Sequence, residues 1–204
     1  MNERKSYPFE CEVDGLVRAA ITDCDPLDGV VDGILSEPYK CRDILNIFDH
    51  VGTLVDCPTV GKKIPITTAA ASVVNATWAG ASASSGRKIW HGLTPGANLT
   101  GRIGFQAGLA GTECTSAGDC TGRANPMGPA WLRYFASKNE TLDVQNLSRE
   151  QFQNLVRRGI QEFSSFFATN DIDLTEFRDA GGRLLTWHGL VSRLGYVRLL
   201  YSVY

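Results

Sequence analysis

The sequence predicts an α/β chain of 204 residues, in which helices and long loops lead into one helix-to-strand step near the C-terminal end. Three observations carry this. Several segments repeat apolar residues at helical spacing, some with capping signals at their starts. Residues 80–125 are rich in Gly, Ser, Thr, Asn and Ala and read as long irregular loops. Near the end, a helix start, a double glycine and an apolar run follow one another, which fits one αβ step of a sheet.

The elements follow in order. Residues 14–23 form a short helix with Leu16, Val17, Ala20 and Ile21 on one face. Residues 67–78 form a second, burying Ala70, Val73, Val74 and Trp78. Residues 131–137 form a third, with Trp131, Leu132 and Phe135 apolar. A fourth starts at Ser148, where Ser148-Arg149-Glu150-Gln151 is a capping box and Leu147 staples against Phe152. Its apolar stripe is Phe152, Leu155, Val156, Ile160, Phe163 and Phe167. Asp173-Leu174-Thr175-Glu176 starts one more short helix, which Gly181-Gly182 ends. Leu184-Leu185-Thr186-Trp187 then reads as a buried strand. Trp78, Trp90, Trp131 and Trp187 are expected in the core.

Bulk properties exclude some classes. A net charge of −2 and no Lys/Arg run argue against nucleic acid or an anionic membrane as partner. No stretch has the roughly 18 consecutive apolar residues of a membrane span. The six cysteines stand at 11, 24, 41, 57, 114 and 120, with no Cys-x-x-Cys pair to suggest structural zinc. Four sequons occur, at Asn75, Asn98, Asn139 and Asn146. Together with an even cysteine count they favour the secretory route and disulfides. Residues 1–8 hold no apolar signal segment, so the beginning of a secreted chain is expected to be missing. A cytosolic protein with chance sequons and free thiols is the alternative.

The richest chemistry lies in Cys24-Asp25-Pro26-Leu27-Asp28-Gly29-Val30-Val31-Asp32-Gly33-Ile34-Leu35. Three carboxylates this close repel one another unless a cation neutralises them. Hard oxygen donors in a flexible loop suit Ca²⁺. Gly29 and Gly33 let the backbone curl. The loop is not an EF-hand, because Leu27 and Gly29 stand where that motif needs acidic or amide residues and Ser36 where it needs a glutamate. A turn-rich acidic surface loop without an ion satisfies the same spacing.

This loop resembles the calcium loop of the tannase and feruloyl esterase family of carboxylic ester hydrolases. Other segments resemble the same family: Cys11-Glu12-Val13-Asp14, Asn75-Ala76-Thr77-Trp78-Ala79-Gly80, Trp90-His91-Gly92-Leu93-Thr94-Pro95-Gly96-Ala97, and Thr175-Glu176-Phe177-Arg178 with Gly181-Gly182-Arg183-Leu184-Leu185-Thr186-Trp187-His188-Gly189-Leu190. The likeness runs in order from about residue 8 to residue 190 and is strongest to the fungal tannase-like branch. It implies Ca²⁺ held by the side chains of Asp25, Asp28 and Asp32 and the carbonyls of Val30 and Ile34. It also implies a disulfide at the spacing of Cys24 and Cys41, which bracket the loop. Cys114 and Cys120 are close enough in sequence to pair, and Cys11 with Cys57 remains by elimination, although six cysteines allow fifteen pairings.

The resemblance further implies a fragment of an α/β-hydrolase fold, mostly the mixed α+β lid with helices and long disulfide-stapled loops. Residues 1–170 would be the lid-like region with its calcium loop at 24–35. Residues 171–190 would be a helix and strand of the hydrolase core, and residues 191–204 a divergent tail. The family hydrolyses aromatic acid esters with a Ser-His-Asp triad. Here the nucleophile would precede Met1, the histidine would follow Tyr204, and Ser192 stands at the acid position, so no catalytic residue is assigned. His50 is expected in a solvent-exposed connector. His91 is read as structural, with a substrate contact as the alternative. His188 is expected to be structural. The expected whole enzyme is a secreted esterase acting on a small aromatic ester. The alternatives are a non-catalytic secreted calcium-binding glycoprotein and a lid that assembles with a separate triad-bearing chain.

Overall fold

The computed structural model describes residues 1–2, 5–101, 108–168 and 173–185. Its helices and strands, in chain order, are α1 (Glu10–Cys24), α2 (Pro38–Ile44), β1 (Leu54–Cys57), β2 (Lys62–Pro65), α3 (Thr68–Ala79), β3 (Thr112–Cys114), β4 (Cys120–Gly122), α4 (Met127–Ala130), α5 (Arg149–Phe167) and α6 (Thr175–Asp179). Short 3₁₀ turns and a π-helical turn, Trp131–Ala136, lie between them.

The core forms where α1 meets α3. Both are amphipathic, and each buries its stripe on the other: Val13, Leu16 and Ala20 of α1 and Ala70, Ala71 and Val74 of α3 are fully buried. Small residues on α3 let the two backbones approach closely. The hairpin β1–β2 leans on the same helix. A Cβ on Gly15 would meet Val55 Cγ1 at 2.7 Å, so only glycine lets the hairpin lie this close. The hairpin is antiparallel, pairing Leu54 with Pro65 and Cys57 with Lys62. Cys11–Cys57 ties it to the first turn of α1.

Capping sets the helix starts. Thr67 precedes α3, and its hydroxyl accepts from Ala70 N–H at 3.2 Å. The predicted capping box of α5 is present: Ser148 Oγ accepts from Gln151 N–H, and Gln151 Oε1 accepts from Ser148 N–H. Gly181, at φ 82°, follows α6 as the glycine stop. Helix α1 starts four residues before the predicted position, at Glu10. Glu12 Oε1 accepts from Phe9 N–H at 3.0 Å, and Glu10 and Glu12 put negative charge in the first turn.

Residues 80–101 and 108–125 are mostly irregular, as predicted, except for the hairpin β3–β4, which Cys114–Cys120 closes across a paired register. The third helix begins earlier than predicted, as α4, and widens into the π turn carrying Trp131 and Phe135.

Several expectations are corrected. Leu184 and Leu185 are exposed, at 55% and 85%, and lie in no strand, so the buried strand expected from residue 184 does not start there. Thr186, Trp187, His188 and the 191–204 tail lie outside the described residues. Trp78 is buried, but Trp90 and Trp131 are exposed. Among the described residues, the sheets are two hairpins and no helix is long and apolar enough to cross a membrane.

Candidate metal centre

The acidic loop begins where α1 ends. Asp25–Asp28 forms a 3₁₀ turn with Pro26 in its first turn, and Gly29, at φ 90°, closes it. Gly33 is also left-handed, at φ 79°. Cys24–Cys41 joins the end of α1 to α2, so both ends of the loop are tethered. Leu35 packs with that disulfide in a small buried cluster, partly shielded by Leu27 and Leu45.

The three aspartates hold the loop through its own amides. Asp25 is buried; its Oδ1 accepts from Asp32 N–H at 3.3 Å, and both its oxygens accept from Gly33 N–H at 3.0 Å. Asp28 Oδ1 accepts from Val30 N–H at 2.9 Å, and Asp32 Oδ1 from Ile34 N–H at 2.9 Å. The Val30 amide, then the Ser36 side chain, hold the Asp28 carboxyl below its ordinary value by favouring the charged form. Val30 and Ile34 lie more than half exposed.

The donor set contains oxygen only, which matches a hard cation. Among the described residues, however, no three His, Cys, Asp or Glu side chains are gathered around a common point. Asp28 and Asp32 each accept from an amide through Oδ1, and a carboxylate has two oxygens, so these bonds do not use up their capacity for a cation. Nothing lies within 4 Å of a Cβ placed on Gly29 or Gly33, so the backbone has room to reshape.

The remaining sequence-predicted residues fall in distinct places. The cysteines pair as Cys11–Cys57, Cys24–Cys41 and Cys114–Cys120. All four sequon asparagines are exposed. Asn75 lies within α3. Asn98 Oδ1 accepts from Thr100 and Gly101 N–H, and Asn139 Oδ1 from Thr141 N–H and Oγ. Asn146 Nδ2 donates to Asp143. His50 is not the free surface residue expected: its Nε2 lies 2.8 Å from Asp23 Oδ2, and its side chain is only 22% exposed. His91 is exposed beside Trp90.

Two polar devices have no local signal. Glu12 is buried, and its second oxygen accepts from Thr67 N–H at 2.8 Å, so one carboxylate serves the entries of both α1 and α3. Arg123 Nη2 donates to Glu10 Oε1 at 2.8 Å and to the Thr100 carbonyl at 2.7 Å, and Nη1 donates to the Gly101 carbonyl. This fastens the long loops onto α1. The partners lie 113 residues apart, beyond any periodicity argument.

Comparison with known proteins gives this fold a class. The chain is similar in structure to the tannin acyl hydrolase from Aspergillus niger, with a TM-score of 0.74, 24% identity, and coverage of 87% of this chain and 32% of that one. It is also similar to feruloyl esterase B from Aspergillus oryzae, with a TM-score of 0.63, 21% identity, and coverage of 87% and 31%. The chain therefore shares the fold of part of each of these solved proteins. The family profile described as "Tannase and feruloyl esterase" matches residues 1–198. The chain belongs to the tannase and feruloyl esterase family. Among curated relatives, the "Probable feruloyl esterase" of Arthroderma benhamiae is 29% identical over 196 residues, covering 95% of this chain and 34% of that protein. The "Tannase" of Aspergillus oryzae is 26% identical over 212 residues, covering 90% and 36%. The chain thus spans about a third of the length of these relatives.

Proposed function

We propose that this chain is the calcium-binding lid portion of a secreted carboxylic ester hydrolase that acts on aromatic acid esters. The observation that carries the reading is the family match over residues 1–198. In the complete enzyme, a serine attacks the ester carbonyl, a histidine moves the proton, and an aspartate orients the histidine. On this reading no triad residue is assigned within residues 1–204, and Ser192 would stand at the position that the family resemblance gives to the acid. The expected substrate is a small aromatic ester, and the exposed sequons suit a secreted glycoprotein.

Within the chain, Asp25, Asp28 and Asp32 would hold Ca²⁺ by their carboxylates, with the carbonyls of Val30 and Ile34. The ion would supply charge neutralisation and stiffness to the loop. The support is the all-oxygen donor set, the two left-handed glycines and the Cys24–Cys41 tether. Calorimetric titration of chelator-stripped protein with Ca²⁺ tests this. Saturable one-to-one binding that Asp28→Asn weakens at least tenfold is expected, with a higher melting temperature in Ca²⁺ than in EDTA. Equal melting temperatures would remove the metal assignment.

Turnover of an aromatic methyl ester tests the enzymatic reading. A second reading, a non-catalytic secreted calcium-binding glycoprotein, is favoured by the serine at the acid position. Calcium binding with no turnover by the native protein, whatever its full length, selects it.

A further inference from the structure

The sequence places glycine directly after aspartate at three points, Asp14–Gly15, Asp28–Gly29 and Asp32–Gly33. Such a pair is able to react with itself, because glycine has no side chain to obstruct the approach of its nitrogen to the aspartate carboxyl. The fold treats the three pairs differently. Asp14–Gly15 lies inside α1, and a Cβ on Gly15 would meet Val55 Cγ1 at 2.7 Å, so that backbone has no room to turn. Asp28 is the last residue of the 3₁₀ turn Asp25–Asp28, and Gly29 N–H donates to the Pro26 carbonyl at 3.1 Å. Asp32–Gly33 lies in neither helix nor strand, and both residues are exposed. Gly33 N–H donates to the Asp25 side chain in place of a main-chain carbonyl, so no turn of backbone fixes this nitrogen. Nothing lies within 4 Å of a Cβ placed on Gly33, which leaves the bend free to rotate. Asp32 Oδ1 accepts from Ile34 N–H at 2.9 Å, which folds the carboxyl back over its own main chain, beside Gly33.

We infer that Asp32–Gly33 is a self-modification site, at which the cation-free loop rearranges to isoaspartate. The Gly33 nitrogen attacks Asp32 Cγ and a C–N bond forms. The bond from Cγ to one carboxyl oxygen breaks, and that oxygen leaves as water with the Gly33 amide proton and the carboxyl proton. Water then adds to either carbonyl of the resulting five-membered imide. Opening one way restores Asp32. Opening the other way routes the main chain through the former side-chain carbonyl. Water leaves and water returns, so composition and mass are unchanged and no oxidant or reductant takes part. The product has one more main-chain carbon between residues 32 and 33, and its carboxylate sits directly on Cα. The bonds from Asp32 to Ile34 N–H and from Asp25 to Gly33 N–H both lose their geometry. Buried Leu35 and the Cys24–Cys41 bridge still anchor the loop, so the change stays local to the acidic segment.

This inference goes beyond the ester-hydrolase reading and requires neither turnover nor Ca²⁺ binding. The test incubates the full 204-residue chain in EDTA at neutral pH and samples it over weeks. Tryptic cleavage at Arg18 and Lys40 places both loop pairs in one peptide, and electron-driven fragmentation assigns each isoaspartate to its residue. Methyl transfer by an isoaspartyl methyltransferase measures the total. Isoaspartate is expected at residue 32 with no change in mass, at least threefold faster than at residue 28 and at least tenfold faster than at residue 14. Asp32→Ser should remove most of the methyl-accepting signal, and Asp28→Ser should leave the rate at residue 32 unchanged. In urea with the three bridges reduced, the three rates should converge, since the fold no longer separates the pairs. The inference is overturned if residue 14 or 28 isomerises as fast as residue 32 in the folded chain. It is also overturned if Asp32→Ser leaves the total unchanged, or if residue 32 isomerises in the unfolded chain alone.

Discussion

Replacing Glu12 with alanine is the most informative single change in the core. The side chain is 2% exposed, and its two oxygens accept from Phe9 N–H at 3.0 Å and Thr67 N–H at 2.8 Å. Leaving a buried donor without its partner costs about 1–3 kcal/mol, so two donors give about 2–6 kcal/mol. Both amides are only part-buried, and removing the carboxylate also removes its desolvation cost. The expected loss is therefore in the lower half, about 2–3 kcal/mol. A loss of that size lowers the melting temperature of a chain this long by roughly 4–12 °C. Glu12→Gln retains one acceptor oxygen and should lose about half as much. Urea unfolding followed by circular dichroism measures all three proteins, with Glu140→Ala as an exposed control. A Glu12→Ala loss under about 0.5 kcal/mol, the scale of ordinary surface substitutions, refutes the bridging role.

Three further outcomes are expected. Cys24→Ser with Cys41→Ser should destabilise by about 3 kcal/mol in the chain-entropy model, read as a lower urea midpoint, and should abolish any Ca²⁺-dependent rise in melting temperature. Gly92→Ala should prevent soluble folding, because its Cβ would stand 2.0 Å from the Trp78 carbonyl oxygen; Gly86→Ala, with open space around it but φ 82°, should fold with a loss of about 1 kcal/mol. Burial holds the Asp14 carboxyl above its ordinary 3.8, outweighing the Thr100 hydroxyl that donates to it. A raised folded pKa gives stability that is full below pH 3.8 and lost as pH rises through the folded value. Asp14→Asn, which keeps an acceptor for Thr100, should therefore match or exceed the parent at pH 7 and lose that advantage near pH 3.5–4, as urea midpoints across pH would show.

Features that depend on a few neighbouring residues were readable in advance. The Ser148/Gln151 box and the Gly181 stop act within one turn of backbone. The acidic loop was legible because its aspartates lie within eight residues. Its geometry was not. Which amides the carboxylates accept from depends on how the loop curls, and the three sit on the amides of Asp32, Gly33, Val30 and Ile34. The hairpin β1–β2 had no clear alternation to announce it, since Leu54, Lys62 and Lys63 are all exposed and its register depends on packing against Gly15. His50 read as a surface residue because its partner, Asp23, lies 27 residues earlier.

The sequence alone therefore determined α1, α3 and α5 with their apolar sides, the start and glycine stop of α6, the loop's oxygen-rich chemistry and the family to which the chain belongs, but not α2. All of these are encoded in short-range patterns of side-chain type. Tertiary structure decided which stripes are covered and which polar groups meet. It placed Glu12 between two helix entries, brought Arg123 to Glu10, and left the α5 stripe only partly covered by the described residues. Periodicity tells which side of a helix is apolar, but burial is a property of whatever packs against that side, and that depends on contacts between residues far apart in the chain.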